Sequence, residues 1–303
     1  MIPAFFLTLA LAVPSASQSS QSVQYPAFAR RIEQLFHTVT TTDDDKLEAA
    51  ARESVLGLYS SHGLFTIAEV GDEPSYEFIV LLSSDNLSLD RRAQILEKIR
   101  AADARGDIPA DAAIFYAARL RLDRIKLEAE SHPPANPALR DHILSLYKTD
   151  QAVRQQQGFD AAKMEQVDRD NSVAIQKILD QFGVPSYAMV GPDAAGAFIL
   201  MIQHQPAEFR ARVLAPLKAE VDAGQADPDS YAKVYDRSQY DLGKPQLYGE
   251  QMICNAGEKM HEAPIEDPTH VNDRRAALGL VRAEILKRLV AELEPQFCPP
   301  APH

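Results

Sequence analysis

The chain repeats itself, and that constrains its fold more than any single motif. PAFARRIEQLFHT at 26–38 returns as PALRDHILSLYKT at 137–149. HGLFTIAEVGDEPSYEFIVLLS at 62–83 returns as FGVPSYAMVGPDAAGAFILMIQ at 182–203. Within the second block Gly63, Ala68, Val70, Gly71, Phe78 and Ile79 recur as Gly183, Ala188, Val190, Gly191, Phe198 and Ile199. Ordered blocks with shared apolar spacing mark a duplicated unit. The offset grows between the blocks, so the second copy carries an insertion after residue 149. Copy one spans about 25–130 and copy two about 137–240, joined by SHPPANP at 131–137; the stretch from 241 onward has no counterpart. A length of 303 residues suits two domains of ordinary size. The expected plan is a leader at 1–17, a degenerate first helical repeat at 25–130, and a second repeat with its extension at 137–303.

Both copies read as helix. LEAAARESVLGLY, DRRAQILEKIRAADARG, ADAAIFYAARLRLDRIKLEAE and RRAALGLVRAEILKRLVAELE carry the 3.6-residue apolar period in good helix formers. Gly106, Gly183 and Gly224 stand where helices should end, and Pro109 and Pro228 where the next should begin. No segment alternates like a strand over a useful length. The tract 241–269, rich in Gly, Pro and polar residues, reads as a long ordered loop before a C-terminal helix. The expected fold class is all-α: two tandem copies of a helical domain.

A formal net charge of -12 argues against nucleic acid or an anionic membrane surface as partner, since both need clustered Lys and Arg. The apolar run Ile2 to Val13, followed by small residues at Ser15 to Ser17, has the layout of a secretory leader, though its start carries no Lys or Arg. A periplasmic or secreted protein, mature from about residue 18 and without a later membrane span, is the expectation. Cys254 and Cys298 would then pair in a disulfide; the alternative is two separate thiols, and their spacing matches no zinc motif.

Several polar residues interrupt apolar stripes. The stripe Leu139, Ile143, Leu146, Tyr147 continues into Asp150 and Arg154, with Gln151 beside them. Asp168 and Asn171 lie in the stripe of Met164, Val167, Ile175, Ile178, Leu179 and Phe182. The apolar run AAGAFILMIQH ends in Gln203 and His204, whose counterparts are Ser83 and Ser84. Asp236 and Arg237 fall on the helix YAKVYDRSQY, opposite an Ala in copy one, unless a larger gap matches Asp123-Arg124 instead. Buried polar groups must find partners or cost about 1–3 kcal/mol each, so such a set is either a structural network or a site. Each residue has a plain reading too: Asp150 and Arg154 as a helix pair, His204 as a satisfied helix end, Asp236-Arg237 as an ion pair, Tyr248 as a packed aromatic.

Taken in order, these residues resemble a bacterial domain family of unknown function. The matching pieces are Asp150-Gln151, Asp168 with Asn171, Gly183 with Pro185, Val190-Gly191, Gln203-His204 and Asp236-Arg237. They continue with Gly243, Gln246, Tyr248, Gly249 and Gln251, then Pro264 to Asp267, and Arg274-Arg275 with Gly279-Leu280. The likeness covers about 137–285. Glu250 departs from it, standing where the family pattern has Thr. The resemblance implies a helical domain and no particular activity.

Two functional classes follow. In the first, His204 is a general acid or base; Asp168 or Asp236 orients it or ligates a metal; Arg154 or Arg237 holds an anionic group. Asp150, Gln151, Asn171, Gln203, Gln246, Tyr248 and Gln251 would contact the substrate. A hydrolase or transferase acting on a small polar or cell-envelope substrate suits this set, with no dedicated metal site and no cofactor named by any motif. In the second, the same cluster belongs to a non-catalytic ligand-binding or interaction module. Asp168, His204, Asp236, Arg237, Gln246 and Tyr248 are expected to share one cavity, with Asp150 and Arg154 at its edge and a bland counterpart in copy one.

Overall fold

A computed structural model describes residues 23–84, 86–155, 160–254, 260–291 and Cys298. The leader-like stretch at 1–17 lies outside them. The described residues are mainly helical, as the apolar periods require.

The first set of helices runs α1 (Pro26–Thr41), α2 (Asp45–His62), the single turn α3 (Ile67–Val70), α4 (Asp72–Leu82), α5 (Leu89–Asp103) and α6 (Ala110–Glu130). The second set follows the same plan: α7 (Pro137–Arg154), α8 (Ala161–Phe182), the turn α9 (Tyr187–Val190), α10 (Pro192–Gln203), α11 (Ala207–Asp222) and α12 (Pro228–Asp241). The most apolar helices, α4 and α10, lie at the centre of each set. Tyr76, Phe78, Ile79 and Leu82 are fully buried in one, and Phe198, Ile199, Met201 and Ile202 in the other.

Local geometry matches between the sets. The amides of Gln24 and Tyr25 donate to the carbonyls of Ala68 and Glu69; those of Ala135 and Asn136 donate to Ala188 and Met189. Thr66 and Ser186 each cap a short turn through their hydroxyls. That turn ends at Gly71 and Gly191, with φ of 94° and 84°, a conformation a side chain would strain. A buried arginine on the fifth helix meets an aspartate on the sixth in both: Arg92 with Asp123, and Arg210 with Asp241.

The tail differs from the sequence-based expectation. The tract 241–269 holds a small antiparallel ribbon, β1 (Met252–Ile253) with β2 (His261–Glu262). The C-terminal helix is two helices, α13 (Val271–Ala277) and α14 (Ala283–Ala291). Gly279 separates them at φ 70°, and a Cβ there would lie 3.2 Å from the Arg119 backbone nitrogen. The apolar period ran through this position without registering the close approach to α6.

The tail then crosses back to the first set. Ala276 and Ile285 join its core. Arg282 pairs with Asp72 and Asp111, and Arg288 with Glu73 and Glu77. Cys254 and Cys298 form a disulfide with Cα atoms 5.5 Å apart. None of the described helices is long and apolar enough to cross a membrane.

Candidate functional site

Asp150 is the centre of the site. It sits in the last turn of α7, where the apolar stripe runs into the interior, and it is fully buried. Its carboxylate accepts from five donors on three helices. Gln151 Nε2 (2.9 Å) and Arg154 Nε (3.2 Å) reach Oδ2. Arg154 Nη2 (3.1 Å), Asn171 Nδ2 (3.2 Å) and His204 Nδ1 (3.1 Å) reach Oδ1. Burial alone would raise this carboxyl, but the hydrogen bonds and charges of His204 and Arg154 outweigh it and hold it at about 2. An ionised carboxylate only accepts, so Nδ1 of His204 carries the proton and Nε2 is the open nitrogen.

Each partner arrives for a local reason. Asn171 is one turn from Ile175 on the buried face of α8, so it is carried inward and is itself buried. His204 follows α10 directly, and its side chain keeps 22% exposure. Arg154 ends α7 at 21% exposure and also binds Asp168, which keeps 27%. The site thus has a sealed floor, Asp150 and Asn171, and an accessible rim of His204, Arg154 and Asp168. One ligand atom each from Asp150, Asp168 and His204 lies within 4.8 Å of the others, close enough for a metal ion. Arg154 already contacts both carboxylates, however, and a bare ion would have to displace its guanidinium.

Asp236 belongs to a different network. It is fully buried on α12 and accepts from the backbone amides of Leu247 (2.7 Å), Tyr248 (3.1 Å) and Glu250 (2.9 Å). Burial raises its carboxyl, opposed by these amides. Gln246, also fully buried, ties the loop to itself: its Nε2 donates to the carbonyls of Gln251 (3.0 Å) and Ala263 (2.9 Å), and its Oε1 accepts from the Gln251 amide (2.7 Å). Tyr248 packs against Tyr231 and Tyr235, and its ring environment pushes the phenol up to about 12, chiefly by burial. Arg275 Nη1 donates to the Tyr248 carbonyl (2.6 Å) and to Glu250 (2.8 Å). The loop is therefore held down by polar contacts together with Tyr248 and Leu247 packed on the second core, so the expectation that it has no apolar face of its own is corrected.

The structure brings Asp150, Gln151, Arg154, Asp168, Asn171 and His204 together. It assembles Asp236, Gln246, Tyr248 and Gln251 separately, and among the described residues no direct hydrogen bond or ion pair joins the two groups. Arg237 points outward, with 57% exposure and Asp241 at 3.6 Å. The side chain of Gln203 is not part of either group; its carbonyl accepts from Arg210 (3.2 Å). Asp150, expected at the edge, is the residue that holds His204. Of the two carboxylates singled out on α8 and α12, Asp236 is buried while Asp168 lies at the accessible rim, and the sequence did not say which neighbour either would meet. Arg210 went unnoticed, and Arg275 figured only in the family resemblance, with no role assigned. Both are buried cations bonded largely to backbone carbonyls, and nothing short of the fold marks those partners.

Comparison with known proteins adds one finding: the model of a family of unknown function, DUF6624, matches residues 137–294. No curated protein and no solved structure matches the chain.

Proposed function

The chain belongs to the DUF6624 family, and from its site we propose an exported protein with one working polar centre, in which His204 is the acid–base group of a hydrolase or transferase acting on a small polar or cell-envelope substrate. One observation carries this reading: a fully buried, ionised Asp150 fixes Nδ1 of His204, while the ring stays accessible at the rim. A carboxylate that holds one imidazole nitrogen presents the other to a substrate in a defined tautomer. Asp150 takes the orienting role first given to Asp168 or Asp236, and Asn171 steadies Asp150. Asp236, Gln246 and Tyr248 anchor the loop.

We read the two helix sets as copies of one domain, the first kept for packing. Matched caps, glycines and Arg–Asp pairs support this, together with the recurring sequence blocks. The leader-like start and the disulfide support export to an oxidising compartment. A non-catalytic reading has one observation in its favour: Asp150 is completely satisfied, as a structural carboxylate would be. The exposure of His204, Arg154 and Asp168 weighs against it, since a purely structural network has no need of an accessible rim.

A panel of chromogenic carboxyl esters, amides, glycosides and phosphate esters tests the proposal. Turnover of one class is expected, with loss of at least about a hundredfold in His204→Ala, the usual scale for a general acid or base. Undiminished turnover in that variant removes the assignment.

A further inference from the structure

The charge of the site defines the substrate more narrowly. Arg154, which looked like an anion clamp in the sequence, is mostly engaged: it contacts Asp150 through Nε and Nη2 and Asp168 through Nη2, leaving only Nη1 without a partner among the described residues. Two carboxylates against one guanidinium leave the cluster with a net charge of about −1 when His204 is neutral, by simple formal counting. Asp168 uses only Oδ1 for Arg154. Its Oδ2 has no partner among the described residues, and the carboxylate is accessible beside His204. A free acceptor next to an open imidazole nitrogen calls for a donor on the ligand.

Resting on the acid–base reading above, we infer that this site takes a substrate bearing an ammonium or other cationic nitrogen group, that Asp168 is the residue selecting it, and that phosphate- and carboxylate-bearing substrates are disfavoured. Asp168 would accept a charge-assisted hydrogen bond from the nitrogen, placing the neighbouring bond of the substrate over Nε2 of His204. Asp150 cannot serve this purpose, because it is sealed and its oxygens are filled. A substrate anion could reach Arg154 only through Nη1, with the carboxylate of Asp168 beside it, since Nε and Nη2 are already held by Asp150 and Asp168. The chain as a whole, at -12, adds to the same bias.

The test follows the ring Cε1–H resonance of His204 in the full chain, assigned by its loss in His204→Ala. Ethanolamine, acetate, inorganic phosphate and zinc are titrated separately. Ethanolamine should give a saturable shift, with acetate and phosphate at least about tenfold weaker. Asp168→Asn should weaken the ethanolamine response about tenfold, the loss of one charge-assisted hydrogen bond. The resting resonance should hardly move, because the Asp150 contact is intact. Equal or stronger responses to the anions overturn the inference, as does unchanged ethanolamine binding in Asp168→Asn or silence toward every probe. A response to zinc without one to ethanolamine overturns it in favour of a metal centre. The acid–base reading fails on other grounds, by turnover that persists in His204→Ala, so the two can be told apart.

Discussion

On the reading of the two helix sets as copies, Asn171 and His204 lie opposite Ala51 in α2 and Ser84 just after α4, while Asp150 stands at the start of the insertion with Val39 as the nearest residue in register. Val39 packs against the first core, Ala51 is buried, and Ser84 turns its hydroxyl to Asn86. The order of helices, the caps of the short turns and the buried Arg–Asp pairs are alike in the two sets. Even the shared pair shows the difference. Arg210 bonds Ser238 through Nε (3.3 Å) and the carbonyls of Gln203 and Gln205 through Nη1. Arg92 bonds Asp123 through Nη2 and leaves its Nε without a partner. Polar satisfaction is more complete in the set that carries the site.

The largest expected effect breaks the contrast at its centre. Asp150→Ala strands Arg154, Asn171 and His204, and loss of one partner from a buried charged network costs about 3–5 kcal/mol. Val39→Ala, near the end of α1 in the other set, removes two methyl groups at a partly buried site and should cost about 1 kcal/mol. Urea denaturation of both variants measures the gap. Equal losses would mean that Asp150 is no more than a packed residue.

Next comes the anchor of the tail. Asp236→Ala leaves the amides of Leu247, Tyr248 and Glu250 without their acceptor and should cost about 2–3 kcal/mol. Hydrogen exchange should quicken at those three amides while α7 and α8 stay protected. If exchange also rises around His204, the two networks are coupled and the separation drawn here is wrong.

The helix ends near Gly106, Gly183 and Gly224 and the starts at Pro109 and Pro228 were legible because the apolar period and the breaker residue agree there. Asp150, Asp168, Asn171 and His204 stood out as polar residues inside apolar runs, and the structure gathers all four. Their pairing was not legible. It depends on how α7, α8 and α10 cross, and a one-turn change in that packing would hand His204 to another carboxylate. Asp236 stood out equally in sequence yet serves the loop, since its partners are backbone amides that carry no side-chain signal. The break at Gly279 escaped notice for a related reason: the constraint comes from Arg119, a residue far away in the chain.

Acid sharpens the comparison by a smaller amount. Asp150 is held at about 2 against an ordinary 3.8, so its contribution is present above about pH 4 and disappears as pH falls through 2. The difference corresponds to roughly 2 kcal/mol. Denaturation at pH 5, 3 and 2 should show the native chain losing that much more than Asp150→Asn, which has no carboxylate to protonate. Parallel losses would place the acid-sensitive group elsewhere.

The smallest effect on stability is the most informative about function. His204→Ala removes one of five donors to Asp150 and leaves the arginine, asparagine and glutamine contacts in place. The lost ring is partly exposed, so little apolar area is uncovered and no buried charge is stranded. A cost of about 1 kcal/mol or less is expected, hardly more than that of Ser84→Ala in the first set. Turnover or ligand response should nevertheless be lost in the first variant and unchanged in the second. A loss of about 3 kcal/mol in His204→Ala would show that the imidazole is needed to hold α7, α8 and α10 together. His204 would then be a structural partner of Asp150, and the two sets would differ in how they pack, with no working site to separate them.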